Sequence, residues 1–148
     1  MSMTAAQFAE RISDVAKNYE TSYIGGVFGA PITEATVQRA ERAYQKNITN
    51  GYAAAAQKLI GNPKAFYFDC VGLIKAILWG WNGDNSKSYG GAVYASNGVP
   101  DIGADTMIAR CSEVSTKFSG IVPGTALWTT GHIGVYIGGG LAVECTPK

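Results

Sequence analysis

The run Phe68-Asp69-Cys70-Val71-Gly72-Leu73-Ile74-Lys75-Ala76-Ile77-Leu78-Trp79-Gly80 decides how the rest of this 148-residue chain is read. Its apolar part, Val71 to Trp79, shows no alternation and by composition alone fits a buried strand or a buried helix. The flanks select helix. Asp69 is a residue type that caps an amino terminus by accepting an orphan backbone N–H, and Gly80 stands where a left-handed residue would end the helix. Cys70 then falls in the first turn, where unpaired N–H groups and the helix dipole favour negative charge on a sulfur.

Upstream of this segment the pattern is helical. Thr4-Ala5-Ala6-Gln7 matches a capping box, and Ala5, Phe8, Ala9, Ile12, Val15, Ala16 and Tyr19 recur at steps of three and four. Gly25, Gly26, Gly29 and Pro31 read as a loop. Thr33 then caps a helix through about Gln45 with Val37, Ala40 and Tyr44 inward, and a third helix runs from about Tyr52 to Ile60 before Gly61 and Pro63. Downstream, Asn82 to Gly103 is rich in Gly, Ser, Asn and Asp without a period and reads as long surface loops around a short element. A short helix is expected near Thr106 to Glu113. From Ala126 the pattern turns to strands over 126–129, 132–137 and 141–145. Helices first and an antiparallel sheet second predict an α+β fold in one domain, 1–148, with no repeat or linker.

Composition narrows the function classes. A hydrophobic fraction of 47% and a charged fraction of 16% describe a chain that can bury a core rather than a disordered one. Net charge is +1 without a cluster of Lys or Arg, so a nucleic-acid partner is not expected. No apolar run approaches the ~20 residues of a membrane span. Met1 to Tyr19 lacks a basic stretch followed by an apolar one, so synthesis in the cytoplasm without an export signal is expected. Cys70, Cys111 and Cys145 are odd in number and irregularly spaced, which argues against a disulfide framework. Cys111 and Cys145 are expected to be small buried hydrophobes. With no paired C-x-x-C spacing, a zinc site built from these thiols and His132 is disfavoured, and no metal or cofactor is implied.

The last hairpin carries the one histidine, in Gly131-His132-Ile133-Gly134-Val135-Tyr136-Ile137-Gly138. Alternation puts His132, Gly134 and Tyr136 on one face and Ile133, Val135 and Ile137 on the other. A two-residue turn of Gly139 and Gly140 would set Glu144 against hydrocarbon, at several kcal/mol unless paired. A three-residue turn, Gly138 to Gly140, predicts instead Leu141 facing Ile137, Val143 facing Val135 and Cys145 facing Ile133. Glu144 then lies opposite Gly134 and diagonal to His132, at roughly 7–8 Å between backbones. There it can hold one imidazole nitrogen and leave the other for a thiol, or it can be an unpartnered surface carboxylate.

A cysteine thiol with a pKa near ~8.5 is mostly protonated at neutral pH, and an imidazole that takes its proton makes it a nucleophile toward an acyl carbon. A cysteine beside an apolar helix is ordinarily core, so the case rests on both segments together. Those segments resemble the NlpC family of papain-like cysteine peptidases, which cut bacterial cell-wall peptides. Phe68 to Ile74 is similar to the family's Asp-Cys-Ser-Gly-Leu nucleophile motif, and Gly131 to Gly138 to its histidine strand. Val143-Glu144-Cys145-Thr146-Pro147 is similar to a run found in lytic enzymes of phages and prophages of Gram-positive bacteria. Tyr23 with Gly26 resembles the family's upstream Tyr-x-x-Gly.

The resemblance implies a papain-like fold, with Cys70 as nucleophile, His132 as base and Glu144 as the group that orients it. It implies Tyr23 and the Cys70 N–H as donors to the oxyanion, although Tyr23 is equally readable as a buried aromatic. Three departures stand out. Val71 replaces the usual serine, Glu144 stands where most of the family has His, Asn or Gln, and the sequence ends at Lys148 where family domains continue into further strands. The implied partner is the peptidoglycan stem peptide, cut by a monomer at the cell wall through a thioester and without a cofactor. The implied bond is first the γ-D-glutamyl to diamino-acid amide and second the N-acetylmuramoyl-L-alanine amide. A non-catalytic wall-binding module and an acyl transferase remain as other uses of the same parts. Asp69 and Gly72 beside the thiol, and Trp79, Trp81, Tyr89 and Tyr94 around the long loops, are candidates to contact substrate, although aromatics so placed more often serve as core or loop packing.

Overall fold

The computed structural model describes residues 3–147. In chain order the elements are α1 (Ala5–Asn18), β1 (Glu20–Tyr23), β2 (Phe28–Pro31), α2 (Glu34–Ala43), α3 (Lys46–Thr49), α4 (Tyr52–Gln57) and β3 (Ala65–Phe68). There follow α5 (Cys70–Leu78), α6 (Ala104–Ala109), β4 (Ala126–Thr129), β5 (His132–Gly138) and β6 (Leu141–Val143). The class is α+β, with two three-stranded sheets ordered β1-β3-β2 and β4-β5-β6. No helix among the described residues is long and apolar enough to cross a membrane.

The helices begin where capping chemistry places them. In α1, Gln7 N donates to Thr4 Oγ1 at 3.1 Å while Thr4 N donates to Gln7 Oε1 at 2.9 Å, so two orphan amides are satisfied reciprocally. Its buried stripe is Phe8, Ala9, Ile12 and Val15. Thr33 caps α2 with Thr36 in the reciprocal role. This helix ends at Ala43, and Tyr44, expected inward, is 55% exposed because the chain leaves the helix there and turns into α3. Asp69 caps α5, and Gly80, with φ of +91°, stands just beyond its end. Every residue from Cys70 to Ile77 is buried, which is why the segment shows no amphipathic period.

The first sheet was not legible. The stretch 25–31, expected to be a loop, contains β2, and β1 and β3 had no anticipated counterpart. β1 runs parallel to β3 and β2 antiparallel to it. Strand β3 lies between two cores: Phe66 and Phe68 join Ile12, Val15, Leu73, Ile77, Ile133 and Val135, while Ala65 and Tyr67 join Ile24, Ile32, Val37 and Ala56. A strand buried on both faces carries no polar alternation to announce it. Helix α5 touches both sheets, packing on β2 and β3 on one side and β5 on the other.

In the second sheet Val135 faces Val143, as the hairpin register predicts, but Leu141 pairs with Gly138 rather than with Ile137 and is 63% exposed. A bulge between Tyr136 and Gly138 absorbs one residue, aided by positive φ at Gly138, Gly139 and Gly140. The two-residue turn and the favourable register thus coexist. Strand β6 ends at Val143, so the expected Cys145–Ile133 pairing is not part of the ladder. Between α5 and α6 the chain forms neither helix nor strand, and the last short helix begins at Ala104 rather than Thr106. This long connection is tied to α5 by an ion pair between buried Lys75 and Asp101.

Candidate functional site

Cys70 is the first residue of α5 and is 8% exposed. Its Sγ lies 4.0 Å from the carbonyl oxygen of Gly131, the residue before His132. The helix start and the histidine strand therefore meet, although the thiol hydrogen bond goes to that carbonyl and not to the imidazole. Burial pushes the thiol pKa up and the Asp69 charge adds to this, while the N–H groups of Ile133, Val71 and Cys70 itself oppose it. The resting sulfur is thus a neutral thiol that needs a base, whereas a helix start alone would favour thiolate.

His132 opens β5 and its Nε2 lies 2.6 Å from Glu144 Oε2. Their side chains are 28% and 53% exposed, so the pair is open to solvent. Gly134 makes the approach possible: a Cβ there would lie 3.1 Å from the Cβ of Glu144. With Nε2 committed to the carboxylate as a donor, Nδ1 is the nitrogen left to accept a proton. The diagonal His132–Glu144 relation read from the hairpin register is present.

Tyr23 closes β1 opposite Phe68, two residues before the thiol. Its half-buried ring meets Tyr52 edge-on at 5.0 Å. Burial, followed by the charges of Asp69 and Cys70, pushes the phenol up to about 12, so it is a neutral O–H donor at any physiological pH.

The other residues expected to contact substrate are occupied within the fold. Asp69 accepts from Gly72 N at 2.6 Å through one oxygen and from Gly26 N at 2.8 Å through the other. It ties the Tyr23–Gly26 turn to the head of α5. Gly72 is there for the protein's own backbone, because a Cβ would come within 1.9 Å of the Val27 carbonyl oxygen. Trp79 and Trp81 are 1% and 3% exposed, with indole N–H groups donating to Val99 O at 2.8 Å and Gly29 O at 2.9 Å. Tyr89 stacks on Phe28 at 4.5 Å, and Tyr94 leans on Trp79 at 5.3 Å with its hydroxyl on Asp101. Nine residues of helix at 1.5 Å each put Trp79 about 13 Å from Cys70 along the axis. Trp79 stands at the far end of α5, Trp81 meets Phe68 edge-on at 5.5 Å and Tyr89 lies on Phe28, so these rings are engaged in packing within the fold.

Asn47, which no sequence motif marks, supports the Tyr23 side. It is fully buried, accepts from Gly25 N at 2.8 Å and donates to Gly25 O at 3.2 Å and Ala40 O at 2.9 Å. A polar residue in a four-residue helix gives no sequence signal of this. Cys145 is buried with its pKa pushed up to about 12 by burial, as suits an inert thiol, whereas Cys111, expected to be buried, is exposed at the end of the short α6. A groove of about 1220 Å³ runs along Ala6, Glu10 and Asp14 of α1 to Val99 and Ile137 and includes none of Cys70, His132 and Glu144. Among the described residues no three His, Cys, Asp or Glu side chains converge as a metal site. Compared with family models, with curated proteins and with solved structures, the chain matches none.

Proposed function

We propose that this chain is a cysteine peptidase of the NlpC kind, with a papain-like arrangement, that hydrolyses an amide bond of the peptidoglycan stem peptide. One observation carries the reading: the chain's one imidazole is held through Nε2 by Glu144 at 2.6 Å, on a strand whose preceding carbonyl touches the sulfur at a helix head. In the reaction His132 Nδ1 takes the Cys70 proton and Sγ attacks the acyl carbon. The Tyr23 hydroxyl and the Cys70 N–H donate to the oxyanion, each contact of this kind being worth roughly 3 kcal/mol. The imidazolium returns its proton to the leaving nitrogen as the C–N bond breaks, which leaves a thioester. A water, deprotonated by His132, then releases the carboxylate and restores the thiol. Glu144 holds the ring orientation and stabilises the imidazolium throughout.

The raised thiol pKa supports transfer of the proton during attack rather than a standing ion pair. By the motif resemblance the bond is the γ-D-glutamyl to diamino-acid amide, and the partner is bacterial cell wall, as for phage and prophage lysins. The test is digestion of purified sacculi followed by mass spectrometry of the soluble fragments. One new amine and one new carboxylate at that bond are expected for the wild type and for neither Cys70→Ala nor His132→Ala. New ends at the muramoyl-L-alanine bond would reassign the substrate bond, and ends that persist in both variants would remove the proposal.

A further inference from the structure

The β4–β5 turn delivers two groups to the site: the Gly131 carbonyl at the sulfur and the His132 ring one residue later. The turn itself is exposed, with a positive φ at Gly131 and no neighbour within 4 Å of where its Cβ would be, so packing does not hold it. One side chain does. Asp105 Oδ1, in the first turn of α6, accepts from Gly131 N at 2.8 Å and from Trp128 Nε1 at 2.9 Å. The two donors stand on either side of Thr129 and Thr130, so a single oxygen clasps both arms of the hairpin end. Trp128 is 41% exposed and its indole therefore leans on this contact rather than on burial.

We infer that Asp105 is a positioning residue for the general base, acting through the Gly131 amide on the placement of His132 against Cys70; this rests on the reaction proposed above. The carboxylate is 26 residues from Gly131 in sequence and belongs to the connection that follows α5. It therefore couples the segment between α5 and β4 to the catalytic turn. What the role requires is an acceptor oxygen aimed at two N–H groups. A negative charge is not required, and Asn can supply the oxygen while Ala cannot.

The experiment pairs steady-state kinetics on a defined muropeptide with NMR of the His132 Cε1–H, a single resonance in a chain with one histidine. For Asp105→Ala, kcat falls about 10- to 100-fold with KM changed less than about twofold, since a misplaced base costs rate without touching bound substrate. The His132 resonance moves. Asp105→Asn keeps kcat within about threefold and leaves the resonance in place. Trp128→Phe, which deletes one donor, gives a smaller displacement of the same signal and serves if the alanine variant does not fold. An unmoved His132 resonance in Asp105→Ala overturns the inference, whether or not kcat falls. Equal losses in the Asn and Ala variants overturn it too, because charge would then be the property that matters. If the wild type cleaves no muropeptide the hydrolase reading fails, and the NMR comparison still decides whether Asp105 sets the imidazole.

Discussion

The three groups proposed to do chemistry are readable only as a set, since no one of them points to a site by itself. Cys70 follows a capping Asp, His132 is unique, and Glu144 is fixed by the parity of the hairpin. Side-chain hydrogen bonds to partners remote in sequence are not readable. The sequence does not show that the N–H groups of Trp79 and Trp81 end on Val99 and Gly29, or that Asp69, besides capping α5, holds Gly26 with its second oxygen. Tyr23 sits at the boundary, and its pKa gives it a measurable identity. With the phenol raised from 10.0 to about 12, Tyr23 ionises later than a free tyrosine in an ultraviolet titration, and Tyr23→Phe removes one late-ionising phenol from the curve. The sign for stability follows. The folded state holds this proton more tightly than the unfolded chain, so the contribution is complete below pH 10.0 and is lost as pH rises toward about 12. Tyr23→Phe should therefore show a shallower alkaline loss of urea midpoint than the wild type; equal slopes would contradict the assignment.

Elements that open on a capping side chain are legible near their true bounds, as α1 and α2, with a one-sided apolar stripe, and α5, apolar all round, show. The first sheet was missed for a different reason. Its strands are four residues each, β2 contains glycine and proline, and β3 is buried on both faces. Its pairing also joins Glu20 to Ala65, a contact that no local window contains. This sheet matters for the site because it carries Tyr23 and brings the Val27 carbonyl onto the head of α5. Gly72→Ala tests that junction. The added methyl would meet a backbone oxygen at 1.9 Å, and overpacking of this kind costs about 2–3 kcal/mol. Chemical denaturation should show that loss in Gly72→Ala, although alanine has the better helix propensity. A variant as stable as the wild type would mean that the close approach does not exist.

At the scale of the molecule, α5 is the shared wall between two sheets, one presenting Tyr23 and the other His132 and Glu144. Its amino-terminal end brings Cys70 against the carbonyl that precedes His132, and Trp79 is buried at its other end. Three thiols in three environments make this division testable in one preparation. Cys111 is exposed, Cys70 is 8% exposed beside the imidazole strand, and Cys145 is buried with a pKa near 12. Partial alkylation with iodoacetamide, peptide mapping of each cysteine, and assay of residual muropeptide hydrolysis in the same samples test the central claim most directly. Activity is predicted to fall in proportion to unmodified Cys70 and to reach zero at its complete labelling, with Cys111 labelled without loss and Cys145 unlabelled in the folded protein. Hydrolysis that survives full modification of Cys70 would contradict the account.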